Sequence, residues 1–252
     1  MSTESLIKHE IEDPTNASIG STQRNDNWWI EPGLYAIGLG AFIIYATWAA
    51  FQGNHYEYGP YLSPFYSPLL TFKWWKFSPA FLILWIPAGF RTTCYYYRKA
   101  YYRSFFLSPP SCSVSEKCLT KYSGETAFPL IMQNLHRYFL YLATILLFFL
   151  WHDVYKAFWF DGKFGIGLGT VILFFSTLFL SLYSISCHSF RHLIGGFLDS
   201  FKSDLQHKIY ERVSCANEHH MLYAWISLFL VGFSDLYIRL CSMGVWIDVR
   251  IL

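Results

Sequence analysis

Residues 165–188 read "GIGLGTVILFFSTLFLSLYSISCH", a run of 24 positions without one Asp, Glu, Lys or Arg. Crossing a bilayer as a helix takes roughly 20 such residues, and four more stretches meet that length: 34–52, 79–99, 130–151 and 221–241. Five buried core helices of this kind would be too many for one soluble domain. Charged residues make up only 14% of the chain, against about 25% in soluble domains. There is too little charge to cover a water-facing surface, so lipid is the solvent for most of this chain. The expected fold class is all-α: an integral membrane bundle of five transmembrane helices over residues 28–252, behind a polar N-terminal tail at 1–27. No internal repeat or low-complexity tract stands out, and a net charge of +2 argues for no nucleic-acid partner.

The basic residues set an orientation. Eleven of them (Arg91, Arg98, Lys99, Arg103, Lys117, Lys121, Arg137, Arg191, Lys202, Lys208 and Arg212) fall at the II–III and IV–V ends of the predicted spans. Four (Lys73, Lys76, Lys156 and Lys163) fall at the other end. The positive-inside rule then places the N-terminus inside and the C-terminus outside, as five spans require. The Pro- and Tyr-rich segment "EYGPYLSPFYSPLL" (57–70) suits an interfacial aromatic belt on the outer side.

Four of the spans bring Cys or His to the same inner edge: Cys94 on II, His136 on III, Cys187 and His188 on IV, His219 and His220 on V. Arg91, Cys94 and Arg98 are spaced to share a helix face. His220 lines up with Ala216, Ala224, Ser227 and Asp235, small and polar residues of the kind that face a bundle interior, whereas His219 lines up with greasier positions. A lone membrane His is more often a hydrogen-bonded packing residue, a lone Cys a small hydrophobe, and Arg or His near an edge can snorkel. Four helices contributing at one depth point instead to a metal or redox site. Two thiols and two imidazoles suit tetrahedral zinc or a Rieske-type [2Fe–2S] cluster. Two imidazoles alone suit the axial positions of haem b. An electron carrier fits a layer in which quinones dissolve.

The segments "GFRTTCYYYRKAYYRSFFLSPPSC" (89–112), "YSGETAFPLIMQNLHRYF" (122–139), "SCHSFRHLIGG" (186–196) and "NEHHMLYAW" (217–225) resemble the membrane-anchor subunit of actinobacterial-type succinate dehydrogenases, the complex II class with a single five-helix anchor. The resemblance implies partners, a flavoprotein subunit and an iron–sulfur subunit on the inner face. It also implies a bacterial inner-membrane location and electron delivery from succinate to quinone. It further implies a Rieske-type cluster, expected with two Cys on one iron and two His on the other. Depth and facing select Cys94, His136, Cys187 and His220 as ligands, with Cys112 in reserve and Cys118, Cys215 and Cys241 as structural thiols. Arg91, His188 and His192 are the expected quinone-binding residues. The anchor carries no succinate chemistry of its own, having no Gly-rich dinucleotide motif. The rival readings are a bis-His haem b anchor and a non-redox membrane transporter or scaffold.

Overall fold

The computed structural model describes residues 27, 29–105, 126, 128, 130–196 and 203–251. The N-terminal tail up to residue 26, Cys112, Cys118, Lys117, Lys121 and Lys202 lie outside the described residues. The chain is mainly helical. Among the described residues, four helices are long and apolar enough to cross a membrane: α1 (Ile30–Gln52), α4 (His136–Lys156, extended at its start by a 3-10 turn, Leu130–Leu135), α5 (Leu168–Ile185) and α8 (His220–Ser242). Many large apolar side chains on them face outward. Ile37 and Ile44 on α1 and Phe148 on α4 are each 73% exposed, an arrangement that lipid tolerates and water does not.

The expected second span, 79–99, is not one helix. It breaks into α2 (Phe81–Thr92) and α3 (Tyr95–Phe105). At about 1.5 Å per residue, the 12 residues of α2 are too short to traverse the hydrocarbon layer alone. The break falls where the chain passes from apolar "FLILWIPAGF" to polar and aromatic "RTTCYYYRKAYY", and the joint is held by Thr93 and Cys94 reaching His136 on α4 and His220 on α8. Arg91, Cys94 and Arg98 therefore do not share one continuous helix face. The fourth span stops at Ile185, and the chain continues as a short helix α6 (His188–Arg191) and a π-turn (His192–Gly196). The link to the last span, expected as a turn, contains a further helix, α7 (Asp204–Glu218). Asn217 Nδ2 on α7 donates to the carbonyl of Ser186 at 2.7 Å, satisfying an otherwise orphaned acceptor at the end of α5.

Two short hairpins close the opposite end of the bundle: β1 (Glu57–Tyr58) with β2 (Tyr61–Leu62), and β3 (Trp159–Phe160) with β4 (Lys163–Phe164). The first is pinned to α8 by a buried ion pair. Arg239 Nε donates to Asp235 at 2.7 Å, and Asp235 also accepts from Tyr45 at 2.6 Å and from Ser63. Arg239 donates further to the carbonyls of Ala49 and Asn54. The segment after α8 folds back, where Asp248 accepts from Tyr61, Tyr237 and the Gly169 amide. α5 and α8 pack against each other, and both bury small and hydroxyl-bearing residues, Ser176 and Thr177 on α5 and Ala224 and Ser227 on α8, the residue types by which membrane helices approach closely.

Candidate metal centre

At the end away from the hairpins, α2, α4, α5 and α8 meet. Cys94 follows α2, whose C-cap is Thr93, and Cys187 follows α5, whose C-cap is Ser186. Each Cys sits in a joint between two helices. His136 and His220 are the first residues of α4 and α8, where the helix dipole presents its positive end. The four side chains line one cavity of about 380 Å³ together with Thr93, Gln133 and His188. Cys94, Cys187 and His220 are buried, and His136 is partly so.

The donors come together as two mixed pairs. His136 Nε2 lies 3.1 Å from Cys187 Sγ, and His220 Nε2 lies 3.5 Å from Cys94 Sγ. Each imidazole uses its other nitrogen toward a hydroxyl: His136 Nδ1 meets Thr93 Oγ1 at 3.0 Å, and His220 Nδ1 meets Ser186 Oγ at 2.9 Å. The hydroxyl contacts run within one pair of helices (α2 with α4, α5 with α8), and the thiol contacts cross between the pairs. Among the described residues, no three of His, Cys, Asp and Glu gather around a single point.

A local repeat that the sequence did not reveal underlies this arrangement. Four residues before each Cys stands an aromatic ring stacked on the imidazole of the same helix pair. Phe90 lies on His136 with centroids 4.7 Å apart and planes at 4°, and Tyr183 lies on His220 at 4.8 Å and 27°. One residue before each Cys stands the hydroxyl, and four residues after it an arginine, Arg98 or Arg191. The signal is a bare pattern, aromatic-x-x-[Ser/Thr]-Cys-x-x-x-Arg, too short to read as a repeat without the fold. Leu39, Leu140, Ala224 and Leu228 belong to the buried cluster that also holds both thiols.

The remaining candidates are placed as follows. His219 is exposed at the α7–α8 joint. Cys215 is exposed and Cys241 is buried at the far end of α8. His188 borders the cavity and its ring lies 4.8 Å from that of exposed His192. Partial burial, then the neighbouring His192 and Arg191, hold the His188 pKa below its ordinary value. Arg91 is partly buried. Its terminal nitrogens donate to Ala224 O and Ser227 Oγ, both at 2.9 Å, and it borders an apolar cavity of about 350 Å³ in the middle of the bundle. Arg191 Nε donates to Tyr210 on α7 at 2.8 Å.

Comparison with known proteins bears on the whole chain. The family model described as actinobacterial succinate dehydrogenase subunit SdhC matches residues 30–244. A chain in the solved structure titled "Mycobacterium smegmatis Sdh1 complex in the apo form" is similar at 42% identity, with a TM-score of 0.83, over 95% of this chain and 97% of that one. No curated protein matches.

Proposed function

The chain belongs to the actinobacterial succinate dehydrogenase SdhC family, and from that membership we propose that it passes electrons from an iron–sulfur subunit through an embedded [2Fe–2S] centre to quinone. As a family member it is a membrane-anchor subunit of the succinate dehydrogenase complex, without a catalytic part in succinate oxidation itself. The proposed partners are a flavoprotein subunit and an iron–sulfur subunit docked on the Cys/His end.

The observation that carries this reading is the pair of Cys–His contacts. Two thiols and two imidazoles whose Nε2 atoms face the sulfurs, lining one cavity with Thr93, Gln133 and His188, are the donor set a [2Fe–2S] group needs. The contacts are mixed, one Cys with one His in each, whereas the expected cluster sets the two Cys on one iron and the two His on the other; what supports a two-metal group is that all four donors line one cavity. Cys94, His136, Cys187 and His220 would hold it. When bound, such a group supplies one-electron transfer at a potential that imidazole ligation raises above that of an all-thiolate cluster.

The protein's own part is to place and bury the donors. The starts of α4 and α8 set the two imidazoles against the two thiols. Burial of Cys94, Cys187 and His220 keeps three of the four donors from water. His188 at the cavity edge, with the His192 ring beside it, provides donors for quinone carbonyls and a route for protons, and Arg91 offers a further donor at the separate apolar cavity. Haem b suits this arrangement less well. A haem held by His136 and His220 would leave the two thiols that face these imidazoles without a role.

The same reading includes five crossings, with α2 and α3 together making the second. It also includes a bacterial plasma-membrane location, with the N-terminus and the Cys/His end inside. In support, Arg91, Arg98, Arg137, Arg191, Lys208 and Arg212 lie toward the Cys/His end, against Lys73, Lys76, Lys156 and Lys163 toward the hairpins, where Arg239 is matched by Asp235.

Low-temperature EPR of the reduced, purified complex tests the proposal. A [2Fe–2S] signal should vanish in Cys94→Ser and Cys187→Ser along with quinone reduction, while succinate oxidation by an artificial dye persists. A Soret band that survives both substitutions would establish haem instead.

A further inference from the structure

We infer that the hydroxyls of Thr93 and Ser186 preset the tautomers of His136 and His220, so that both imidazoles offer Nε2 to the centre before any metal arrives. The inference rests on the cofactor reading above and adds two positioning residues to it.

The argument follows where single protons go. A hydroxyl has one hydrogen to donate and lone pairs to accept with. Thr93 Oγ1 lies 2.6 Å from the carbonyl of Gly89, and a carbonyl can only accept. The Thr93 hydrogen is therefore committed to Gly89, and the hydroxyl oxygen meets His136 Nδ1 as an acceptor. Nδ1 must carry the ring hydrogen, which leaves Nε2 bare. Ser186 repeats the device. Its hydroxyl donates to the Tyr183 carbonyl at 3.1 Å and so accepts from His220 Nδ1 at 2.9 Å. Both bare Nε2 atoms are those that face the thiols.

Three features separate this from routine capping. The hydroxyl lies in the same place twice, at the C-cap immediately before the Cys, supplied by two different residue types. Thr93 is 6% exposed and Ser186 not at all, so water does not stand in for either. And each hydroxyl reaches the imidazole of its own helix pair, while the thiol that imidazole faces comes from the other. Each ring is thus held from both sides, by stacking on Phe90 or Tyr183 and by the hydroxyl. A hydrogen bond to the outer nitrogen fixes ring orientation and raises ligand basicity, and losing one typically costs 10- to 100-fold in metal affinity.

The test uses the intact complex carrying Thr93→Val, Thr93→Ser or Ser186→Ala, with succinate–dye activity as the check on assembly. Thr93→Val and Ser186→Ala should release iron to a chelator about 10-fold faster or more. They should also shift the midpoint potential of the centre upward and alter its histidine nitrogen couplings in pulsed EPR. Thr93→Ser should match the unsubstituted complex in all three. If Thr93→Val and Ser186→Ala leave couplings, potential and chelator resistance unchanged while the centre is present, the inference is overturned and the cofactor reading stands. A Thr93→Ser complex as altered as Thr93→Val also overturns it, since the methyl and not the hydroxyl then matters. An unsubstituted complex with no EPR signal that Cys94→Ser removes overturns the cofactor reading, and this inference with it.

Discussion

The guanidinium of Arg91 lies over the ring of Tyr183, 4.8 Å from its centroid, and the same Tyr183 ring stacks on His220. A full positive charge is thereby separated from one candidate ligand by a single aromatic ring. Its hydrogen bonds to Ala224 and Ser227 keep it there.

Replacing Arg91 by Gln removes that charge while retaining a side chain able to reach Ser227. A centre that becomes more negative on reduction should then be harder to reduce. The expected change in a redox titration followed by EPR is a lower midpoint potential, on the order of 1 kcal/mol for one charge at this effective dielectric.

Gly89 lies against Phe139 so closely that a Cβ at position 89 would overlap ring atoms Cε1 and Cζ. The contact joins α2 to α4 one turn from the Thr93–His136 hydrogen bond. Gly89→Ala should destabilise the subunit by about 1–3 kcal/mol, read as a lower thermal midpoint of the detergent-solubilised complex. The double variant Gly89→Ala/Phe139→Leu should recover most of the loss.

Asp235 and Arg239 are almost wholly buried at the hairpin end. Leaving either charge without its partner should cost about 3–5 kcal/mol. Asp235→Asn and Arg239→Met should each lower the thermal midpoint sharply, and the double variant should fall short of their sum. Additive effects would mean that the two charges do not act as a pair.

Orientation is open to direct labelling. With the hairpins outside, Lys163→Cys should react with a membrane-impermeant maleimide in intact cells. Lys208→Cys on α7 should not react until the membrane is opened. The reverse pattern would invert the topology.

The apolar runs at 34–52, 130–151, 165–188 and 221–241 each became a long helix, because in lipid a run of that length has few other ways to satisfy its backbone. The meeting of Cys94, His136, Cys187 and His220 was legible for a related reason: residue depth along a spanning helix follows from counting. The choice of His220 over His219 followed from its small and polar neighbours, and the fold buries the first and exposes the second. The break at Thr93–Cys94 was not legible, because "RTTCYYYRKAYY" carries no Gly or Pro to mark an end. The joint is held by contacts to α4 and α8 that no local pattern encodes. Helix α7 was hidden in the same way, since its length and polarity match those of a loop. Thr93 and Ser186 escaped notice because a hydroxyl beside a cysteine is common, and only the positions of Gly89 and Tyr183 reveal where its hydrogen must go.

The donors are spread across the chain so that His220 arrives on α8, after every other span described. A nascent chain that has inserted α2, α4 and α5 holds two thiols and one imidazole, with Cys94 facing no nitrogen. Nothing that requires all four donors can form until α8 has left the ribosome and entered the bilayer. Completion of the four-donor cluster therefore waits on the last span, whatever order the other helices take.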